Sequence, residues 1–163
     1  MILATHAVAG AAVANLLPGH PVLGFVAGFV SHFFLDAIPH WHYALLSSRH
    51  DHNDPMNSDI ILNKDFPLDL FKMGCDAILG IGLAVLFFHV STPYFLSATL
   101  LGAVGGIFPD ALQFVYFKWR HEPLVSLQRF HHWIHAKESL DQYPVFGPFA
   151  QVVFGLLCVL IVR

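Results

Sequence analysis

Four candidate ligands crowd one segment, Ser31-His-Phe-Phe-Leu-Asp-Ala-Ile-Pro-His-Trp-His42: His32, Asp36, His40 and His42. On a helix, His32, Asp36 and His40 recur at i, i+4 and i+8 and share one face, with Pro39 loosening the last turn. A carboxylate between two imidazoles is a donor set for a borderline divalent ion such as Zn2+. The segment closes a long apolar run. Ionisable groups there are costly unless they are paired, metal-bound or hydrated.

Further donors lie elsewhere in the chain: His6, Asp76, Asp110 directly after Pro109, and the triplet His131, His132 and His135. His131 and His135 would stand one turn apart on a helix, with His132 pointing away. His6, His32, Asp36, Asp110, His131 and His135 are the expected metal ligands. Asp76 is a ligand or general base, and His132 a neighbour of the ligands or a substrate-facing group. His40 and His42 stay open between ligation and an ordinary interfacial belt with Trp41 and Tyr43. His50-Asp-His52-Asn-Asp54 reads better as a solvated loop, and His89 and His121 as ordinary residues.

The elements that must position these groups are apolar. Hydrophobic residues make up 56% of the 163-residue chain and charged residues 12%. Soluble domains carry about 25% charged residues, so the composition predicts an all-α integral membrane bundle, one domain over residues 1–163. A soluble all-α protein with an unusually oily core is the competing reading. The net charge of −3 gives no case for nucleic acid. Cys75 and Cys158 both sit in apolar runs and read as packing residues.

Five hydrophobic segments are predicted, Ile2–Leu17, Val22–Ile38, Leu68–Val90, Tyr94–Phe117 and Val145–Val162, with polar stretches His40–Phe66 and Lys118–Tyr143 between them. The first is read as a retained helix, because it lacks the cationic start of a signal peptide. Seven cations (Arg49, Lys64, Lys72, Lys118, Arg120, Arg129 and Lys137) lie in or beside the polar stretches, and only Arg163 falls outside. The positive-inside rule therefore predicts a multi-pass protein of the cytoplasmic membrane, with its amino terminus and polar stretches in the cytoplasm.

A weak internal repeat pairs His6 and Gly10 with Asp76 and Gly80, and Gly28, His32 and Asp36 with Gly102, Gly106 and Asp110. It suggests two parallel helical hairpins, with Gly24, Gly28, Gly102 and Gly106 as close-packing positions. At 1.5 Å per residue, His6, Asp36, Asp76 and Asp110 fall at similar depth near the cytoplasmic boundary. Each buried Asp costs roughly 2.5–3.5 kcal/mol at a membrane centre. Bound structural Zn2+ contributes roughly 10–16 kcal/mol, enough to offset three. A water-filled crevice would also serve.

Phosphate-cradling glycine loops, GxSxG elbows and Cys/His nucleophile pairs are lacking, and a metal-activated water fits the residues present. Two or three Zn2+ ions bridged by Asp would suit phosphoryl transfer. A site between helices at the membrane face suits a lipid or lipid-linked substrate, its anionic head held by Arg120, Arg129 or Lys137. A membrane di-iron oxygenase fits less well, since repeated HxxHH boxes are missing. The non-enzyme readings are a membrane protein that binds metal for structure, such as a sensor, and a metal or proton transporter, which needs a polar path to the far side, where only His20 and His89 occur.

At Thr5-His6, Ser31-His-Phe-Phe-Leu-Asp36, Phe108-Pro-Asp110 and His131-xxx-His135 the chain resembles the YdjM-type membrane-bound metal-dependent hydrolases. That family is placed near zinc-dependent phospholipase C and the single-strand-specific zinc nucleases. The resemblance implies a helical, multinuclear zinc site and a phosphoester or lipid hydrolase role. Here Ser-His-xxx-Asp precedes Pro-Asp, the reverse of the family's usual order. Phe-His-His-Trp-Ile-His stands where members carry His-Arg-Gly-x-Thr-His-Ser.

Overall fold

The computed structural model describes residues 2–51, 53–88 and 93–162. Met1, His52, His89, Val90, Ser91, Thr92 and Arg163 lie outside the described residues, and with them the expectations for His52, His89 and Arg163. Among the described residues there are six α-helices: α1 (Leu3–Asn15), α2 (Pro21–Asp36), α3 (Phe66–Phe88), α4 (Pro93–Lys118), α5 (Leu124–Ile134) and α6 (Phe146–Val162). A two-stranded antiparallel ribbon, β1 (Ser48–Arg49) and β2 (Asp59–Ile60), closes the first polar stretch. The five predicted segments correspond to α1, α2, α3, α4 and α6. The sixth helix, α5, lies inside the second polar stretch.

Helix α1 is the hub, packing against α2, α3, α4 and α6. Its sequence explains this. Alanine is the strongest helix former and the smallest side chain that still packs, so an Ala-rich helix holds its shape while neighbours approach closely. Ala7, Ala11 and Ala14 are completely buried. A Cβ on Gly10 or Gly28 would strike the Gly102 carbonyl, and one on Gly106 would strike the His6 carbonyl. These glycines bring α1 and α2 against α4 at backbone contact. The core then fills with Ala7, Val8, Ala11, Ala12, Ala84, Phe88, Ala103 and Val159.

The two hairpins do not pack as equivalents. Exchanging them would map the broad α1–α4 contact onto an α2–α3 contact. Among the described residues α3 lies against α1 and α4, with no comparable interface to α2. Gly80 instead packs on Ala4 and Ala7 of α1. The predicted symmetry therefore fails, and Asp76 does not occupy the place of His6.

By length and composition, α3 and residues Tyr94–Lys118 of α4 can each cross a membrane. Helices α1 and α2 are shorter, at about 20 and 24 Å. The distribution of apolar side chains is unlike an oily soluble core. Only 11% of the α3 window is buried, and Phe71, Ile78, Leu79 and Leu86 point outward. Leu156, Leu160 and Ile161 of α6 do the same. Such a surface is compatible with a membrane bundle. Cys158 packs against the core and Cys75 is exposed, a departure from its expected packing role.

Candidate metal centre

Helix α2 delivers His32 and Asp36 on one face, as their spacing predicts, and both are buried. Helix α4 brings Asp110 opposite them. Pro109 cannot donate a backbone hydrogen bond, which loosens the turn around the preceding glycines. The Gly106 carbonyl lies 2.8 Å from His32 Nδ1. A carbonyl only accepts, so Nδ1 donates its proton and Nε2 presents a lone pair.

That Nε2 stands 3.1 Å from Asp36 Oδ2, 3.3 Å from His131 Nε2 and 3.6 Å from Asp110 Oδ1. His131 Nε2 is 2.7 Å from Asp36 Oδ2. Donors placed 2.0–2.1 Å from a tetrahedral ion stand about 3.3 Å apart. The observed separations scatter around that value. His32, Asp36, Asp110 and His131 thus form a group that can hold a metal ion.

His6 sits behind this group on α1, completely buried and stacked on the His32 ring at 4.0 Å. Its Nε2 is 3.2 Å from Asp36 Oδ1, and among the described residues neither ring nitrogen makes a hydrogen bond of good geometry. A buried imidazole in that state is costly in a metal-free protein. It is a donor aimed at the shared carboxylate.

A second group of three imidazoles, His40, His42 and His135, can hold a metal ion beside the first. His40 Nε2 lies 2.8 Å from His42 Nε2 and 3.7 Å from Asp36 Oδ1. Each ring is oriented through Nδ1. His40 Nδ1 bonds the Ile38 carbonyl at 2.6 Å, His42 Nδ1 the Asp141 carboxylate at 3.1 Å, and His135 Nδ1 the Ala136 carbonyl at 3.1 Å. Burial pushes the His40 imidazole down to about 3. Burial also lowers His42 and His135. Each of these shifts favours the neutral imidazole, the form that binds metal.

Side chains absent from the sequence reading position this second group. Gln151, a lone amide in the otherwise apolar α6, donates to the Trp41 carbonyl at 2.7 Å and accepts from the Ile2 N–H at 3.2 Å. Asp69, buried in the first turn of α3, accepts from the Ser47 N–H and hydroxyl, both at 2.7 Å. These two anchors hold the ends of the His40–Ser47 loop. The Ala136 N–H donates to the Asp36 carbonyl at 2.7 Å, and the Leu140 N–H to the His40 carbonyl at 2.9 Å. The segment after α5 is thereby tied to the end of α2. Trp41 packs on the Gly147 backbone of α6, so it does more than mark an interface.

Other expected site residues are placed differently. Helix α5 ends at Ile134 and His135 is extended, with ψ at 134°. His131 and His135 therefore leave the predicted shared face and serve different groups. His40 likewise lies past the end of α2.

Asp76 belongs to neither group. Its carboxylate accepts from the Leu3 and Ala4 N–H at 2.7 and 3.2 Å. Helix α1 has no acidic residue in its first turn and no side-chain cap of its own. A carboxylate from α3 satisfies those orphan donors and the helix dipole instead.

His132 is exposed, away from the buried donors. Arg120 is engaged by the Met56, Asn57 and Ser58 carbonyls and by the Tyr116 ring, which removes it from head-group duty. Arg129 and Lys137 are exposed near His131 and His135 in sequence. His50 is exposed, in keeping with a solvated loop.

No family model, curated protein or solved structure matches this chain.

Proposed function

We propose that the protein is a multi-pass cytoplasmic-membrane hydrolase that uses a divalent metal, read as zinc, to cleave a phosphoester in a lipid or lipid-linked substrate. The observation that carries this reading is Asp36. One buried carboxylate lies 3.1 and 2.7 Å from the Nε2 atoms of His32 and His131, with Asp110 completing four donors. Two carboxylates and two imidazoles suit a borderline divalent ion better than a thiol-seeking one. A divalent ion bound at this Asp36 centre would supply Lewis acidity toward a phosphoryl oxygen and would lower the pKa of a water molecule.

The chain's own residues do the rest. His32 is held in its ligating tautomer by the Gly106 carbonyl. The apolar outer faces of α3 and α6 suit lipid tails, which would keep an amphiphilic substrate beside the site. Arg129 and Lys137 are the cations left to receive its anionic head. The likeness to the YdjM-type hydrolases points the same way.

Transport is less well supported. The core that α1 shares with α3, α4 and α6 is apolar, built from Ala, Val and Phe.

The test is hydrolysis of a fluorescent phospholipid and of p-nitrophenyl phosphate by detergent-solubilised protein. Activity should vanish with EDTA, return with Zn2+, and fall at least 100-fold in Asp110→Asn with helix content unchanged. Metal-loaded protein that hydrolyses neither phosphoester, in micelles or in vesicles, would count against the reading.

A further inference from the structure

The donors divide into two groups that meet at one carboxylate. Asp36 Oδ2 faces His32 and His131, while Asp36 Oδ1 faces His6 and His40. We propose that His40, His42 and His135 hold a second divalent ion, bridged through Asp36 to the ion of the buried group, and that this outer ion is the one that meets substrate. This rests on the buried group being a metal site, and it adds a ligand set for a second ion and a division of labour.

Orientation is the first argument. All three imidazoles use Nδ1 toward a partner that cannot donate: the Ile38 carbonyl, the Asp141 carboxylate and the Ala136 carbonyl. Each Nε2 is therefore left with its lone pair, and one ring nitrogen from each of the three lies within 4.8 Å of the others. Two such lone pairs 2.8 Å apart, on His40 and His42, repel unless a cation stands between them. Ligating histidines elsewhere are fixed in this way by a carboxylate or carbonyl on the remote nitrogen. Asp141 fills that role for His42 and also accepts from its backbone N–H at 2.6 Å.

Exposure is the second argument. The buried group supplies four protein donors, and closed four-donor sites are those that hold an ion for structure. The outer group supplies three imidazoles, the number found where one position is kept open for water or substrate. The side chains of His42 and Asp141 are 35% and 49% exposed and Asp110 is 29%, whereas His32, Asp36, His131 and His40 are 0%, 3%, 5% and 2%. The open side faces outward, next to the segment that carries Lys137. Two dications against Asp36, Asp110 and Asp141 leave a net positive centre, matched to a phosphoester anion.

The test is equilibrium dialysis of the chelator-stripped, full-length protein in detergent against Zn2+. Wild type should take up two ions per chain. The His42→Ala/His135→Ala double variant should take up one, with its helical circular dichroism retained. Asp141→Ala should weaken one of the two ions by about 10- to 100-fold and leave the other unchanged.

One ion in wild type and still one in the double variant would overturn the second site while leaving the buried one standing. Two ions in both would overturn the assignment of these ligands. No ion in wild type would sink both readings. If the double variant does not fold, the exposed Asp141→Ala decides, and two unchanged affinities overturn the proposal.

Discussion

Asp36 Oδ2 lies 2.7 Å from His131 Nε2, a contact between residues 95 apart in the chain. It joins the end of α2 to α5 and closes the buried donor group. Asp36→Asn keeps the volume but removes the charge, and His131→Ala removes the partner. Each should cost at least 100-fold in Zn2+ affinity, measured by competition with a chromogenic chelator. Unchanged affinity in both would mean that the contact is only a packing hydrogen bond.

Asp76→Ala separates capping from catalysis. Loss of a helix cap costs about 0.5–2 kcal/mol. The variant should melt at lower temperature by a corresponding amount while keeping wild-type Zn2+ content. Loss of metal at intact stability would restore Asp76 to the site.

His6 should act in opposite directions on the two forms of the protein. A buried polar group without a hydrogen bond costs about 1–3 kcal/mol. His6→Leu should therefore leave the metal-free protein as stable as wild type or more so, and reduce the stabilisation gained on adding Zn2+. Thermal melts with EDTA and with Zn2+ would show this. A variant equally destabilised in both conditions would make His6 a packing residue.

Gly106→Ala probes the approach of α1 to α4. The added Cβ would meet the His6 carbonyl, a backbone atom that cannot rotate away. Overpacking of this kind costs about 1–3 kcal/mol. It should also displace His6 and the carbonyl that orients His32, lowering both the melting temperature and metal affinity. An unshifted melt would show that the helices are looser than described.

The pH dependence follows from His40. Burial lowers its folded-state pKa from 6.5 to about 3. Protons therefore bind the unfolded chain first. As pH falls below about 6.5 the metal-free protein loses stability, with the loss complete near pH 3. In EDTA, the melting temperature should drop between pH 7.5 and pH 5, and drop less in His40→Gln. An equal slope in both proteins would remove His40 as a cause.

The helix-borne part of this centre was legible in the sequence because helical period is local. His32 and Asp36 share a face through i, i+4 spacing alone, and His6 and Asp110 follow from depth along apolar runs. The loop-borne part was not. His135 has the same spacing from His131, but the helix stops at Ile134, so a backbone angle decides its partner. His40 and His42 lie on a loop that Gln151, Asp69 and Asp141 bond at Trp41, Ser47 and His42, and none of those contacts has a sequence period. Asp76 misled for a different reason. An apolar helix without its own cap recruits a carboxylate from elsewhere, and an intramembrane Asp with that duty resembles a ligand in composition.

The central claim is that the Asp36 centre binds metal, and metal content tests it most directly. Protein purified in detergent without chelator would be analysed by plasma mass spectrometry, wild type beside Asp36→Ala/Asp110→Ala. The account predicts zinc in the wild type and its loss in the double variant, with helix content preserved. Equal metal in both proteins, or none in the wild type after growth in zinc-replete medium, would contradict it.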